Sequence, residues 1–212
     1  MGTIKVESLI DDAAFMLTDE GNTRWSKDAL LGWFNQGQRA LVSRRPDTLP
    51  VNAEFTCAAG VKQAIPDTGV RLMNVVRNIG GRGISKVEKQ FLDYHVPDWY
   101  NADQSDRVQH FVFDERDPKT FYVYPPAEDE LKLEIVYSKS PAAAAIADIA
   151  STNIEVDDVW ANAILEYMLH RAWSKDAEDA GNLARSREHL QNFRIAIGEI
   201  TEADAATSPG DS

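Results

Sequence analysis

Residues 111–141 read FVFDERDPKTFYVYPPAEDELKLEIVYSKSP. In the last strand-like run, Leu131, Leu133, Ile135 and Tyr137 alternate with Lys132, Glu134 and Val136. A period of two places these sets on opposite faces of a β-strand, one apolar and one mostly polar. Asp117-Pro118-Lys119 has turn chemistry, so the runs Val108–Asp114 and Thr120–Tyr124 are expected to form a hairpin. Pro125-Pro126 removes two ladder donors and predicts that the second strand stops at Tyr124. Further upstream, Pro, Gly and Asp separate the β-rich runs Ala53–Cys57, Lys62–Ile65 and Met73–Ile79. Residues 51–141 therefore read as an inserted antiparallel β-sheet or small β-sandwich.

Outward from this segment the apolar period changes to 3.6. Val6, Ile10, Ala13 and Leu17 share one face of a helix expected over Val6–Asp19, ended by Gly21-Asn22. Ser26 is a good N-cap for a second helix, Asp28 complements its dipole, and Pro46 stops it after Arg45. Leu30, Phe34, Gly37 and Leu41 form its stripe. A glycine there costs up to about 1 kcal/mol of helix propensity, which makes sense if another backbone packs closely. After an Ala-rich connector (residues 141–152) that fits a helical turn or a flexible link, a third helix begins near Val156-Asp157-Asp158. Its expected face is Val156, Trp160, Ala163 and Tyr167, with Val159 and Ile164 beside it. A fourth repeats Leu183, Leu190, Ile197 and Ser186, Phe193, Ile200 every seven residues, a narrow seam. The fold class expected is α+β. Residues 1–50 and 142–200 form an antiparallel helical bundle, 51–141 an inserted β domain, and 201–212 a disordered acidic tail without large apolar side chains.

The composition, 43% hydrophobic and 26% charged, is that of a folded soluble protein. The single Cys57 excludes an internal disulfide framework and a zinc ribbon. No apolar run is long enough to cross a membrane, and the acids of MGTIKVESLIDD stand where a signal peptide needs an apolar core. Acids outnumber bases by 34 to 22, net −12, and residues 142–212 alone carry 13 against 5. Without a basic stripe, specific binding to DNA, RNA or an anionic membrane is not expected. Plain solubility explains the charge, although an acidic face also lets a nucleic acid slide past.

No catalytic constellation emerges. Asn78-Ile79-Gly80-Gly81-Arg82-Gly83 lacks the GK[ST] ending and the following helix of a phosphate loop, and reads as a turn between strands. Glu166 and His170 stand i, i+4, half a metal site at best, and read as an ion pair on one helix surface. The acidic runs Asp114-Glu115, Asp157-Asp158 and Glu128-Asp129-Glu130 read as solvated turns and a helix N-terminus. The aromatic run from Tyr94 to Trp99-Tyr100 has two readings, a contact surface and a plug sealing one end of the sheet.

Four segments in order resemble bacteriophage head-to-tail adaptor proteins (connector, neck and tail tubular A-like proteins). They are LLGWFNQGQRALVSRRPD (Leu30–Asp47), FLDYHVPDWYN (Phe91–Asn101) with its Asp-x-x-x-Pro-x-Trp element, Phe111–Pro141, and the closing helices of Val156–Phe193. The resemblance implies a structural virion protein, not an enzyme, with no catalytic residue, cofactor or metal. It implies a homo-oligomeric ring, commonly of 12 copies, assembled in the host cytoplasm and placed at the virion neck. Its partners would be the portal protein and tail or nozzle proteins, with DNA passing through a central channel without specific binding and no membrane contact. Exposed aromatic residues are the expected anchors of such interfaces: Trp33, Tyr94, Trp99, Tyr100 and Trp173. The alternative from another class is a carbohydrate-binding β-sandwich module of a phage or bacterial surface assembly, with Trp99, Tyr100 and Tyr94 stacking on sugar.

Overall fold

The computed structural model describes residues 2–175 and 179–199, a mixed α+β protein. The expected acidic tail and Ile200 lie outside the described residues. The chain divides into two compact units, one built from residues up to Leu49 and from Pro141 onward, the other from Pro50–Ser140.

The first unit contains α1 (Val6–Met16), α2 (Lys27–Arg44), α4 (Ala161–Lys175) and α5 (Ala180–Ala196). α1 buries Val6, Ile10 and Ala13 as the periodicity predicts, but it stops at Met16, earlier than Asp19. Thr18 turns into the left-handed region (φ 55°), and the Asp19 carboxylate accepts from the backbone N–H groups of Thr23, Arg24 and Trp25. These bonds, that from Trp25 first, hold its pKa below the usual carboxylate value. The Ser26 hydroxyl then caps α2 by accepting from Ala29 N–H at 3.3 Å. On α2, Leu30, Phe34, Gly37 and Leu41 are all buried.

Gly37 faces α4. A Cβ on it would sit 3.3 Å from both Ile164 Cγ2 and Tyr167 Cδ1, and 3.6 Å from the Ile164 carbonyl oxygen. The glycine admits that close approach. Gly37→Val is expected to destabilise this unit by about 1–3 kcal/mol through overpacking. Gly37→Ala should come out near neutral, because up to about 1 kcal/mol of helix propensity offsets a crowded methyl. Urea unfolding of both variants checks this; equal stabilities would show that the approach is looser.

α4 and α5 are tied by polar bonds that helical spacing did not foretell. Glu166 accepts from His189 Nδ1 at 2.8 Å and from Asn192 Nδ2 at 3.3 Å, not from His170. His170 instead meets α5: its Nδ1 lies 3.0 Å from the Ser186 carbonyl, and Ser186 Oγ donates to the His170 carbonyl at 3.2 Å. Burial pushes the His170 pKa down. The expected i, i+4 ion pair is thus corrected to two cross-helix pairs. Of the heptad seam, Ser186, Phe193 and Ile197 are buried as expected, whereas Leu183 is exposed. The Ala-rich connector forms a 3-10 turn over Ile146–Asp148, and Asn35 clamps Ala144 through both its amide atoms. Val159, expected beside the buried face of the third helix, is 75% exposed.

The second unit has two sheets. The first has the order β1 (Pro50–Thr56), β7 (Lys132–Lys139), β3 (Gly69–Asn78), all antiparallel. The second has the order β2 (Gly60–Ala64), β6 (Thr120–Ala127), β5 (His110–Phe113), β4 (Ser85–Lys86). β7 is central and buries Leu133, Ile135 and Tyr137 as its alternation requires. Leu72, Val75, Leu133 and Ile135 from one sheet and Phe111, Phe121 and Val123 from the other share one apolar core. β5 and β6 form the expected hairpin around Asp117-Pro118.

Two details depart from expectation. β6 continues through Pro125 and Pro126 to Ala127. Its partner β2 pairs Lys62 with Tyr122 and then Gly60 with Ala127, so the prolines lie in a bulge where no ladder N–H is required. Their stretch still contributes acceptors, since Pro126 O takes Ser105 N–H. The sheet is also not wholly antiparallel. β4 runs parallel to β5, and the crossover this demands contains a helix not expected from sequence, α3 (Lys89–His95).

Candidate functional site

The crossover between β4 and β5 carries the aromatic run. α3 presents Phe91 and Tyr94 to solvent, 47% and 82% exposed, and the following 3-10 turn Trp99–Asn101 presents Tyr100, 42% exposed. Trp99 points the other way. It is fully buried with Leu92 and Val112, its ring stacked on Tyr100 at 3.8 Å and edge-on to Tyr122 at 6.3 Å. Its Nε1–H donates to Asp93 Oδ1 at 2.9 Å, and Lys89 Nζ donates to Asp93 Oδ2 at 2.6 Å. Lys89 first, and Trp99 with it, hold the Asp93 carboxyl below its ordinary pKa. One carboxylate therefore links the helix, the indole and a lysine, and the indole supports an exposed aromatic ledge.

Of the two readings of this run, burial fits the plug for Trp99, whereas Tyr94 and Tyr100 are exposed. The expectation that Trp99 and Trp33 are exposed anchors is corrected. Trp33 is buried on α2, flanking Leu30 at i+3. Trp173 is half-buried: it meets Trp25 edge-on at 5.5 Å, and the Arg185 guanidinium covers it at 4.8 Å. The sequence does not reveal Asp93 as the holder of Trp99, although its i+4 spacing from Lys89 was a visible signal.

Beside the ledge lies a cleft of about 900 Å³ lined by Lys86, Lys89, Tyr100, Phe113, Arg116 and Tyr122 among others. Lys86 lies over the Phe113 ring at 5.8 Å, and Lys89 over Tyr100 at 5.7 Å. Arg116 is held by Asp114 at 2.7 Å, which pulls the Asp114 pKa down to about 2. Lys89 and Arg116 thus already have carboxylate partners, whereas Lys86 has the Phe113 ring. Cys57 is buried, which pushes its thiol pKa up to about 12 and leaves it unreactive. Among the described residues no group of three or more His, Cys, Asp or Glu is placed to hold a metal ion, and no helix is long and apolar enough to cross a membrane.

The site is thus an exposed aromatic ledge beside an open cleft in which Lys89 and Arg116 already have carboxylate partners. The family model described as SU10 adaptor protein matches residues 4–212, and the chain belongs to that family of phage head-to-tail adaptors. No curated protein matches the chain.

Proposed function

We propose that this chain is the repeating subunit of a ring at the virion neck, between portal and tail, whose channel the genome crosses without being specifically bound. The single observation carrying this reading is the adaptor-family match over residues 4–212, which spans both compact units. The helices of the first unit act as a bundle, one functional domain, and the β unit acts as a second. A closed ring needs two different patches per subunit that meet after rotation. Tyr94 and Tyr100 supply one, and the half-buried Trp173 under Arg185 belongs to another. A net charge of −12 keeps a passing polyanion from sticking. Twelve copies, portal on one side and tail or nozzle proteins on the other, complete the assembly.

The sugar-binding alternative loses its main platform, since Trp99 offers no free face to a glycan. Cryo-microscopy of the virion neck tests the proposal. The expected result is density that fits the two units in a ring between portal and tail; finding the chain only on fibres or spikes, or absent from virions, overturns it.

A further inference from the structure

Residues 50–140 contain five arginines. Arg71 pairs Glu115 at 3.0 Å, Arg77 pairs Glu134, and Arg116 pairs Asp114. Arg82 and Arg107 have no carboxylate partner among the described residues, and these two line the same cleft, about 300 Å³, with Gly83, Val108 and Gln109. The two arginines of this unit without a carboxylate partner therefore stand at one cleft, in a chain with 34 acids to 22 bases.

The cleft is also built. Arg82 sits on the glycine turn after β3, where Gly80 takes φ +72°, and Arg107 sits on the approach to β5. Asn78, 4% exposed, joins the two arms with its side chain. Its Nδ2 donates to the Arg82 carbonyl at 3.1 Å and the Val108 carbonyl at 2.8 Å, and its Oδ1 accepts from Val108 N–H at 2.9 Å. A buried amide left unsatisfied is costly, so these three bonds hold the arms in one arrangement. The backbone segments that carry the two exposed arginines are thereby held at one cleft.

We infer that Arg82 and Arg107 form an anion site that takes a carboxylate of an acidic protein segment. Guanidinium groups grip carboxylates with paired N–H donors, which a planar, preset fork favours. A DNA backbone is the poorer occupant. It demands many cations in a row, whereas this cleft has two, with Asp103 and Asp106 on the same loop. The site goes beyond the adaptor reading and does not rest on it, because it is tested without portal or virion.

The test uses the full chain with isotope-labelled arginine, following the Nε–Hε resonances of Arg82 and Arg107 during titration with hexaglutamate, and separately with a short DNA duplex. Both resonances should move together and saturate with the peptide. R82Q or R107Q should each weaken binding about tenfold or more, as loss of a charged hydrogen bond implies. R82K should also weaken it, since lysine keeps the charge and loses the fork. Both positions are exposed, so unchanged thermal unfolding is expected for all three variants. Absence of saturation, an indifferent R82Q, or a duplex that binds more tightly than the peptide overturns the site. Sedimentation over a concentration series identifies the source. Self-association that falls in R82Q assigns the carboxylate to a second copy; self-association that is unchanged, with peptide binding intact in the unsubstituted chain, assigns it to another protein.

Discussion

Phe34→Ala is expected to lower the stability of the helical unit by about 3–5 kcal/mol. The ring is fully buried, at the middle of a stripe with Leu30 and Leu41 buried one turn before and two turns after it. Truncation removes the apolar transfer energy of the ring and leaves a cavity that can collapse only in part, because Gly37 already holds α4 close on the same face. Fluorotryptophan reports the loss locally: Trp25, Trp33, Trp160 and Trp173 lie in this unit, and Trp99 in the other. The midpoint in urea should fall for those four resonances with an unchanged slope. A loss below about 1 kcal/mol would place the core of the unit away from this stripe.

That stripe was legible because its signals are local. Ser26, Pro46 and the 3.6-residue spacing each act within a few residues, and α2 begins and ends where they say. β3 was not legible in the same way. It pairs β7 with three register shifts, so Leu72, Val75 and Asn78 are buried at intervals of three, while Met73 and Ile79 are exposed. Each bulge inserts one residue, and the inserted residue breaks the alternation on which strand recognition depends. Pro125-Pro126 misled for a related reason. A proline forbids a strand only where the ladder asks for its N–H, and whether it does is decided by β2, sixty residues away in sequence. On α5 the heptad repeat placed Ser186 on the seam correctly, and the carbonyl of His170 on α4 is what satisfies its buried hydroxyl.

The site was legible in its residue types and not in their orientation. Aromatic side chains near Pro97 mark contact chemistry, yet whether each faces out or in depends on α3, a helix too short to show a period. Trp33 did carry a local signal, its i+3 relation to Leu30, and that spacing predicts burial more directly than its size predicts an interface. The Arg82 and Arg107 pair could not be read along the chain, for the Asn78 amide brings the Arg82 carbonyl and the backbone of Val108, the neighbour of Arg107, together across a topological connection. Adaptor membership was nevertheless readable from four ordered segments, because order along a chain survives where single motifs are weak.

Trp99→Ala is expected to cost the β unit about 3–5 kcal/mol, whereas Tyr94→Ala changes its stability by no more than about 0.5 kcal/mol. The contrast follows from burial: the indole is closed in by Leu92 and Val112, while Tyr94 is 82% exposed. Removing the indole also leaves Asp93 Oδ1 without its donor and Tyr100 without the ring on which it stacks. Trp99→Phe, which retains most of the packing and loses the N–H, should fall between these limits. Hydrogen exchange of the β5 and β6 amides measures the difference, because protection there tracks the opening of the sheet that Trp99 covers. Unchanged protection in Trp99→Ala would mean that the indole does not support the sheet. If protection falls as expected, Tyr94→Ala becomes the variant that isolates contact from folding: an intact β unit that docks more weakly in the neck would assign the ledge to an interface, and equal docking would leave Trp99 a structural plug alone.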